Sequence, residues 1–228
     1  MTGPRDSIFH DPDAVARYAE GPRRNVPGYN SLLSMARILL GERVPRDGRV
    51  LVVGAGGGLE LEEFAQAHPG WRFDGIDPSA AMLALAARRL GPLSSQVMLH
   101  EGYVQQAPIG PFDGAACLLT FHFVPCEQRL PMATEIHRRL KPGAPFVAVH
   151  LSVEEGEAGR AVWMSRYAAF LVASGVAQPQ AVAAQEKVQR ELPILTPAQD
   201  EAILRDAGFH AVQLFYVGFA FRGWVAYA

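Results

Sequence analysis

At 228 residues, 49% hydrophobic and 19% charged, the chain has the size and apolar content to bury one large core, which excludes a disordered protein. Twenty-one basic against 23 acidic residues give a net charge of −2, not the balance of a chain built to lie on nucleic acid. Two cysteines, Cys117 and Cys126, exclude a disulfide framework or a four-cysteine zinc site. Residues 1–28 are polar, carry Pro4, Pro12, Pro22 and Pro27, and read as a peripheral lid; Asp11-Pro12-Asp13 has the form of a helix start. Apolar spacing predicts a helix over 30–40. Then strands and helices alternate: strand 49–53, helix 59–67, strand 71–76, helix 80–90, strand 96–100, strand 112–121, helix 128–140 ending at Lys141-Pro142-Gly143, and strand 145–151. Residues 154–192 break the alternation as two helices, 159–174 and 179–191, which form a cap. A helix over 197–207 precedes strands 210–216 and 219–226, whose short separation at Val217-Gly218 predicts an antiparallel hairpin.

This order implies an α/β fold of the Rossmann-like kind: a seven-stranded, mostly parallel sheet with helices on both faces, an antiparallel terminal hairpin and a helical cap. Residues 29–228 form the domain and 1–28 its N-terminal lid. The longest near-apolar run, 115–124, is far short of the ~20 residues that cross a bilayer. The N-terminus has no apolar signal core. No membrane is expected, the cytoplasm is the expected location, and no histidine–cysteine–acid group has the spacing of a metal site.

The chemistry points to the first strand–helix junction. Gly54-Ala55-Gly56-Gly57-Gly58 follows a strand and opens a helix, a turn where glycines admit positive φ and a ligand can approach backbone. The second strand ends at Asp77, where a carboxylate can accept both hydroxyls of a ribose. A loop of this kind serves a dinucleotide, which needs donors for its pyrophosphate, or S-adenosylmethionine (SAM), which carries none.

Four segments decide between them by resemblance. VLVVGAGGGLELEEFA (50–65), FDGIDPSAAMLALAARRL (73–90), FDGAACLLTFHFV (112–124) and LKPGAP (140–145) resemble the motif regions of class I SAM-dependent methyltransferases. The resemblance implies SAM as cofactor. It places Gly54, Ala55, Gly56 and Gly58 at the methionine end, Asp77 at the ribose, and Pro78, Met82, Gly102, Tyr103 and Val104 around the adenine. Leu118 and Leu119 follow in the fourth-strand motif. Val52 and Tyr103 stand where many relatives carry acids. NVPGYNSLLSMARIL (25–39) and TPAQDEAILRDAGF (196–209) are similar to the tRNA wobble-uridine carboxymethyltransferases, which use carboxy-SAM; that likeness puts Tyr29 over the methionine part. Where that branch has its carboxylate-reading arginine, this chain has Ile203, so plain SAM is expected.

His122 and His150, at the ends of the fourth and fifth strands, are the candidate bases. Trp163, Arg166, Tyr167 and Phe170 in the cap are the candidate acceptor contacts; their spacing equally suits a helix packing stripe. The expected activity is methyl transfer to a small acceptor. The alternatives are tRNA modification, which the scattered arginine pairs do not favour, a SAM-binding regulator without catalysis, and an NAD-dependent oxidoreductase. A homodimer is compatible with all of these.

Overall fold

The computed structural model describes residues 21–154 and 156–228; the expected helix start at Asp11-Pro12-Asp13 lies outside them. The first elements are a short helix α1 (Gly21–Asn25) and α2 (Tyr29–Gly41). Two strand–helix units follow: β1 (Arg49–Val53), α3 (Leu59–Ala67), β2 (Arg72–Asp77) and α4 (Ala80–Leu90). Next come β3 (Val97–Glu101), β4 (Gly114–Leu118), α5 (Cys126–His137) and β5 (Pro145–Leu151). The cap is α6 (Glu157–Ala173) and α7 (Gln178–Glu191), and α8 (Pro197–Asp206), β6 (His210–Gly218) and β7 (Phe221–Tyr227) complete the chain's order.

The seven strands form one sheet in the order β3-β2-β1-β4-β5-β7-β6. All pairs are parallel except those of β7, which inserts antiparallel between β5 and β6. Strand alternation divides the core. In β1, Val50 and Val52 face α2, α3 and the cap, while Leu51 and Val53 face α5 and α8. The helices therefore cover both faces, as the alternating sequence implied.

Three local features depart from the sequence expectation. The fourth strand stops at Leu118 rather than running to Phe121: Leu119 turns with φ 58°, and residues 121–123 form a 3-10 turn. The hairpin turns at Phe219-Ala220 instead of Val217-Gly218, with Phe219 at φ 52°, a conformation that an aromatic residue seldom advertises in sequence. The peripheral stretch also ends earlier than residue 28. Val26 is buried, and the carbonyl of Pro27 accepts the Tyr216 hydroxyl from β6.

Candidate active site

Strand order reverses between β1 and β4, which leave in opposite directions to β2 and β5. In an open α/β sheet the carboxyl ends at such a reversal frame a ligand crevice. The glycine loop sits there. Gly54 and Ala55 both donate to the Ile76 carbonyl, at 2.8 and 3.0 Å, locking the loop to the end of β2. Gly56 donates to Asp77 Oδ2 at 3.0 Å, and Ser79 donates to Asp77 Oδ1 at 2.9 Å. Ser79 then caps α4 by accepting from Met82 N.

Two glycines here are geometrically required. Gly54 has φ 75°, and a Cβ on it would lie 2.1 Å from Thr120 Oγ1; Gly58 has φ 79°, and its Cβ would meet the Ala86 backbone of α4 at 3.0 Å. Thr120 is itself tied to Leu118 by a 3.1 Å bond to its carbonyl. The backbone of the β1 loop at Gly54 thus packs directly against the Thr120 side chain after β4.

Asp77 keeps one acceptor site free on each oxygen, because each takes a single backbone N–H. Burial raises its pKa against the lowering effect of those two N–H groups. A second carboxyl, Glu60 in the first turn of α3, is only 5% exposed. Burial, with a contribution from Asp77, raises its pKa to about 8, while its own backbone amide and Arg89 act the other way. The sequence reading passed over Glu60; an acid in the first turn of an amphipathic helix looks like ordinary dipole complementation. Cys117, buried below, has its thiol pushed up by burial and by Glu60.

This arrangement suits SAM and opposes a dinucleotide. Of the five amides from Gly54 to Gly58, those of 54, 55, 56 and 58 are already bonded within the protein. A pyrophosphate would find few free donors, and two carboxyls beside it.

The adenine-side residues lie along the next edge. Met82 is buried, Pro78 is exposed and Gly102 donates to the Asp77 carbonyl. Tyr103 is 62% exposed and its amide is spent on Gln106 Oε1, which leaves the Val104 end of this turn for a base. Tyr29 is buried in the layer that carries α2 and α3, and Leu118 is buried beside the loop.

The two histidines are both buried, on the far side of β4. His122 Nδ1 accepts from Leu151 N at 3.3 Å, so its proton is assigned to Nε2. Burial, His150 and Arg129 hold its pKa well below the usual range, so it stays neutral. His150 packs between Phe121 and Trp224, and its Nε2 lies 3.1 Å from Asp200 Oδ1 without the alignment of a hydrogen bond. Asp200 also pairs with Arg129, which is fully buried; Arg129 Nη1 lies 3.2 Å from the same oxygen, and its other nitrogens donate to the carbonyls of Val124 and Pro193. Sequence reasoning missed this pair, because Arg129 and Asp200 lie on two helices 71 residues apart and each reads locally as an ordinary charged helix position.

In the cap, Tyr167 meets Phe221 and Phe170 meets Phe219, so this stripe packs the cap onto the hairpin. Trp163 lies against two guanidinium groups, Arg166 at 4.5 Å and the buried Arg222 at 5.0 Å from its ring centroid. Ile203 is half-buried on α8 against the α5 layer.

Residues 50–143 match a family model described as "Methyltransferase domain". The chain has a class I SAM-dependent methyltransferase fold. A curated relative, the carboxy-S-adenosyl-L-methionine synthase of Chromohalobacter salexigens, is 25% identical over 98% of this chain and 88% of its own. The phosphoethanolamine N-methyltransferase 2 of Haemonchus contortus, solved with S-adenosyl-L-methionine, superposes with TM-score 0.72 at 15% identity over all of this chain and 60% of its own. An O-methyltransferase family protein from Burkholderia thailandensis gives 0.71 at 13% over 98% and 62%. The chain thus spans about three-fifths of those two methyltransferase structures. The carboxymethyltransferase likeness of the 25–39 and 196–209 segments gains a companion: the curated relative is named for making carboxy-SAM, not for using it.

Proposed function

We propose that the chain binds SAM at the β1–β2 edge and transfers its methyl group to a small acceptor beneath the α6–α7 cap. The observation that supports this best is the bond from Gly56 N to Asp77 Oδ2, which holds a carboxylate with two free acceptor sites beside a loop closed to phosphate. Asp77 accepts the ribose hydroxyls, Met82 and Val104 pack against the base, and Gly54, Ala55, Gly56, Gly58, Tyr29, Leu118 and Leu119 enclose the methionine end. SAM supplies an electrophilic methyl on sulfur.

The chain's task is alignment and exclusion of water. Trp163, Arg166, Tyr167 and Phe170 form the cap wall over the acceptor, and the paired arginines on Trp163 favour an acceptor that is planar or anionic over a cationic amine. Displacement at the methyl carbon, with the thioether S-adenosylhomocysteine as leaving group, needs no base unless the acceptor must lose a proton. His122 carries its proton on Nε2 and serves as a donor. His150 packs between Phe121 and Trp224 beside Asp200 in the α5–α8 layer, the sheet face opposite the cap, so it is not assigned the role of base for an acceptor there. Calorimetry with SAM and S-adenosylhomocysteine, followed by turnover with a panel of phenols, carboxylates and amines, tests the reading; absence of heat with both ligands refutes it.

The names of the curated relatives favour a second reading, formation of carboxy-SAM. Ile203 speaks against it, since an apolar side chain offers a carboxylate no partner. Mass spectrometry of SAM incubated with the protein and cell extract distinguishes the two products.

A further inference from the structure

Arg222 crosses from one side of the sheet to the other. It is the second residue of β7 and stands opposite His150 of β5 in the register, so its Cβ leaves the sheet on the α5–α8 side. Its guanidinium nevertheless lies 5.0 Å from the ring centroid of Trp163, which packs with the cap layer on the other side. The side chain therefore passes over the rim of the sheet at the carboxyl end of β5, the rim that frames the crevice. Only 5% of Arg222 is exposed.

One nitrogen of this guanidinium is committed. Nη1 donates to two carbonyls of the hairpin, those of Phe219 and Phe221, the latter at 3.2 Å. Nε and Nη2 bond to no described residue, and neither is sealed from solvent. Among the described residues no carboxylate forms an ion pair with Arg222. Burial lowers its pKa, and Glu154, the acid that acts the other way, is itself exposed. The nearest charge across Trp163 is a second cation, Arg166. A guanidinium taken out of water without a counter-charge is costly, and an arginine does not escape that cost by losing its proton. The edge left free, Nε with Nη2, is a fork that matches a planar carboxylate through two parallel bonds. On the reading of the site proposed above, we infer that Arg222 is a specificity-determining residue whose Nε–Nη2 edge binds a carboxylate of the methyl acceptor, so that the acceptor is a carboxylic acid.

An acid and its amide share a shape and differ in charge, so the ratio of their dissociation constants isolates the carboxylate. The experiment is calorimetry of the whole chain saturated with S-adenosylhomocysteine, titrated with benzoate and benzamide, salicylate and salicylamide, and cinnamate and cinnamamide. The wild type is expected to prefer the acid by about tenfold in at least one pair, and Arg222→Gln to bind acid and amide of that pair within about twofold. Arg222→Lys, which keeps the charge without the fork, is expected to fall between the two. The inference is overturned if the wild type prefers none of the acids, a result that does not depend on a variant folding. It is equally overturned if Arg222→Gln, with its binding of S-adenosylhomocysteine intact, keeps the preference. Carboxy-SAM and SAM are titrated into the ligand-free chain alongside: a wild-type preference for carboxy-SAM that Arg222→Gln loses would put the carboxylate on the cofactor and overturn the inference too. Absence of heat with S-adenosylhomocysteine and SAM would instead remove the SAM reading itself, which separates the two failures.

Discussion

Asp77 ties together two ends that the chain separates by a whole helix: its Oδ2 receives Gly56 N at 3.0 Å and its Oδ1 receives Ser79 N at 2.9 Å. One carboxylate thereby fixes the glycine loop and starts α4. Asp77→Ala should abolish SAM binding in calorimetry, and it should also lower stability by about 2–3 kcal/mol through two lost charge-assisted bonds. Asp77→Asn, which keeps an acceptor on the loop side, should retain most of the stability while still weakening SAM. Equal loss of stability in both variants would argue against the bracing role.

Gly54→Ala should destabilise by about 2–4 kcal/mol, combining a side chain at φ 75° with a contact of 2.1 Å on Thr120. Adding Thr120→Ser removes one methyl of that crowding and should recover part of the loss. Urea denaturation of the single and double variants measures it; no recovery would mean that backbone strain dominates.

The Arg129–Asp200 pair lies inside the α5–α8 layer with both members buried. Asp200→Ala leaves the guanidinium uncompensated and should cost about 3–5 kcal/mol, whereas the double change Arg129→Met with Asp200→Leu should cost much less. A double-mutant cycle by chemical denaturation decides the matter. Additive losses would show that the two side chains act separately.

Two buried groups should tilt stability against pH in opposite senses. The folded pKa of His122 lies well below its ordinary 6.5, so between the two values the unfolded chain binds the extra proton. Its contribution is full above about 6.5 and is lost as pH falls, by up to about 1.4 kcal/mol per unit. For Glu60 the folded value is raised from 4.5 to about 8, so the folded chain holds the extra proton. Its contribution is full below 4.5 and is lost as pH rises through about 8. Denaturation of His122→Asn should therefore show a shallower acid-side loss than the wild type. Glu60→Gln should gain on the wild type steadily from about pH 5 to about pH 8. Parallel curves for either variant would contradict the assigned shift.

Ile203→Arg should raise affinity for carboxy-SAM relative to SAM, if position 203 faces the extra carboxylate as the 196–209 resemblance implies. Competition calorimetry with the two ligands reads the ratio, and an unchanged ratio would show that the half-buried side chain points elsewhere.

The layered α/β architecture was legible because its signals are local: β1, α3, α4 and β5 have the bounds that alternation and helix spacing assign to them. The Gly54–Gly58 turn and Asp77 were legible for the same reason. The shifted hairpin turn at Phe219 and the early end of β4 were not, since both rest on positive φ in non-glycine residues that only surrounding packing can impose. Glu60, Arg129 and Asp200 were hidden differently. Each lies on an ordinary helix, and its burial is decided by residues far away in the chain. The cap aromatics illustrate the reverse case, where one spacing fits both packing and a substrate wall, and only Tyr167 on Phe221 and Phe170 on Phe219 reveal how much of it is packing.

The insertion of β7 between β5 and β6 has a consequence for how the molecule is made. While the ribosome is still upstream of residue 221, the outer hydrogen-bonding margin of β5 has no neighbour, and β6 has nothing to join. Nascent protein paused there would offer a bare, apolar template to other chains. Slow translation near this point should therefore favour inclusion bodies far more than a pause after β3.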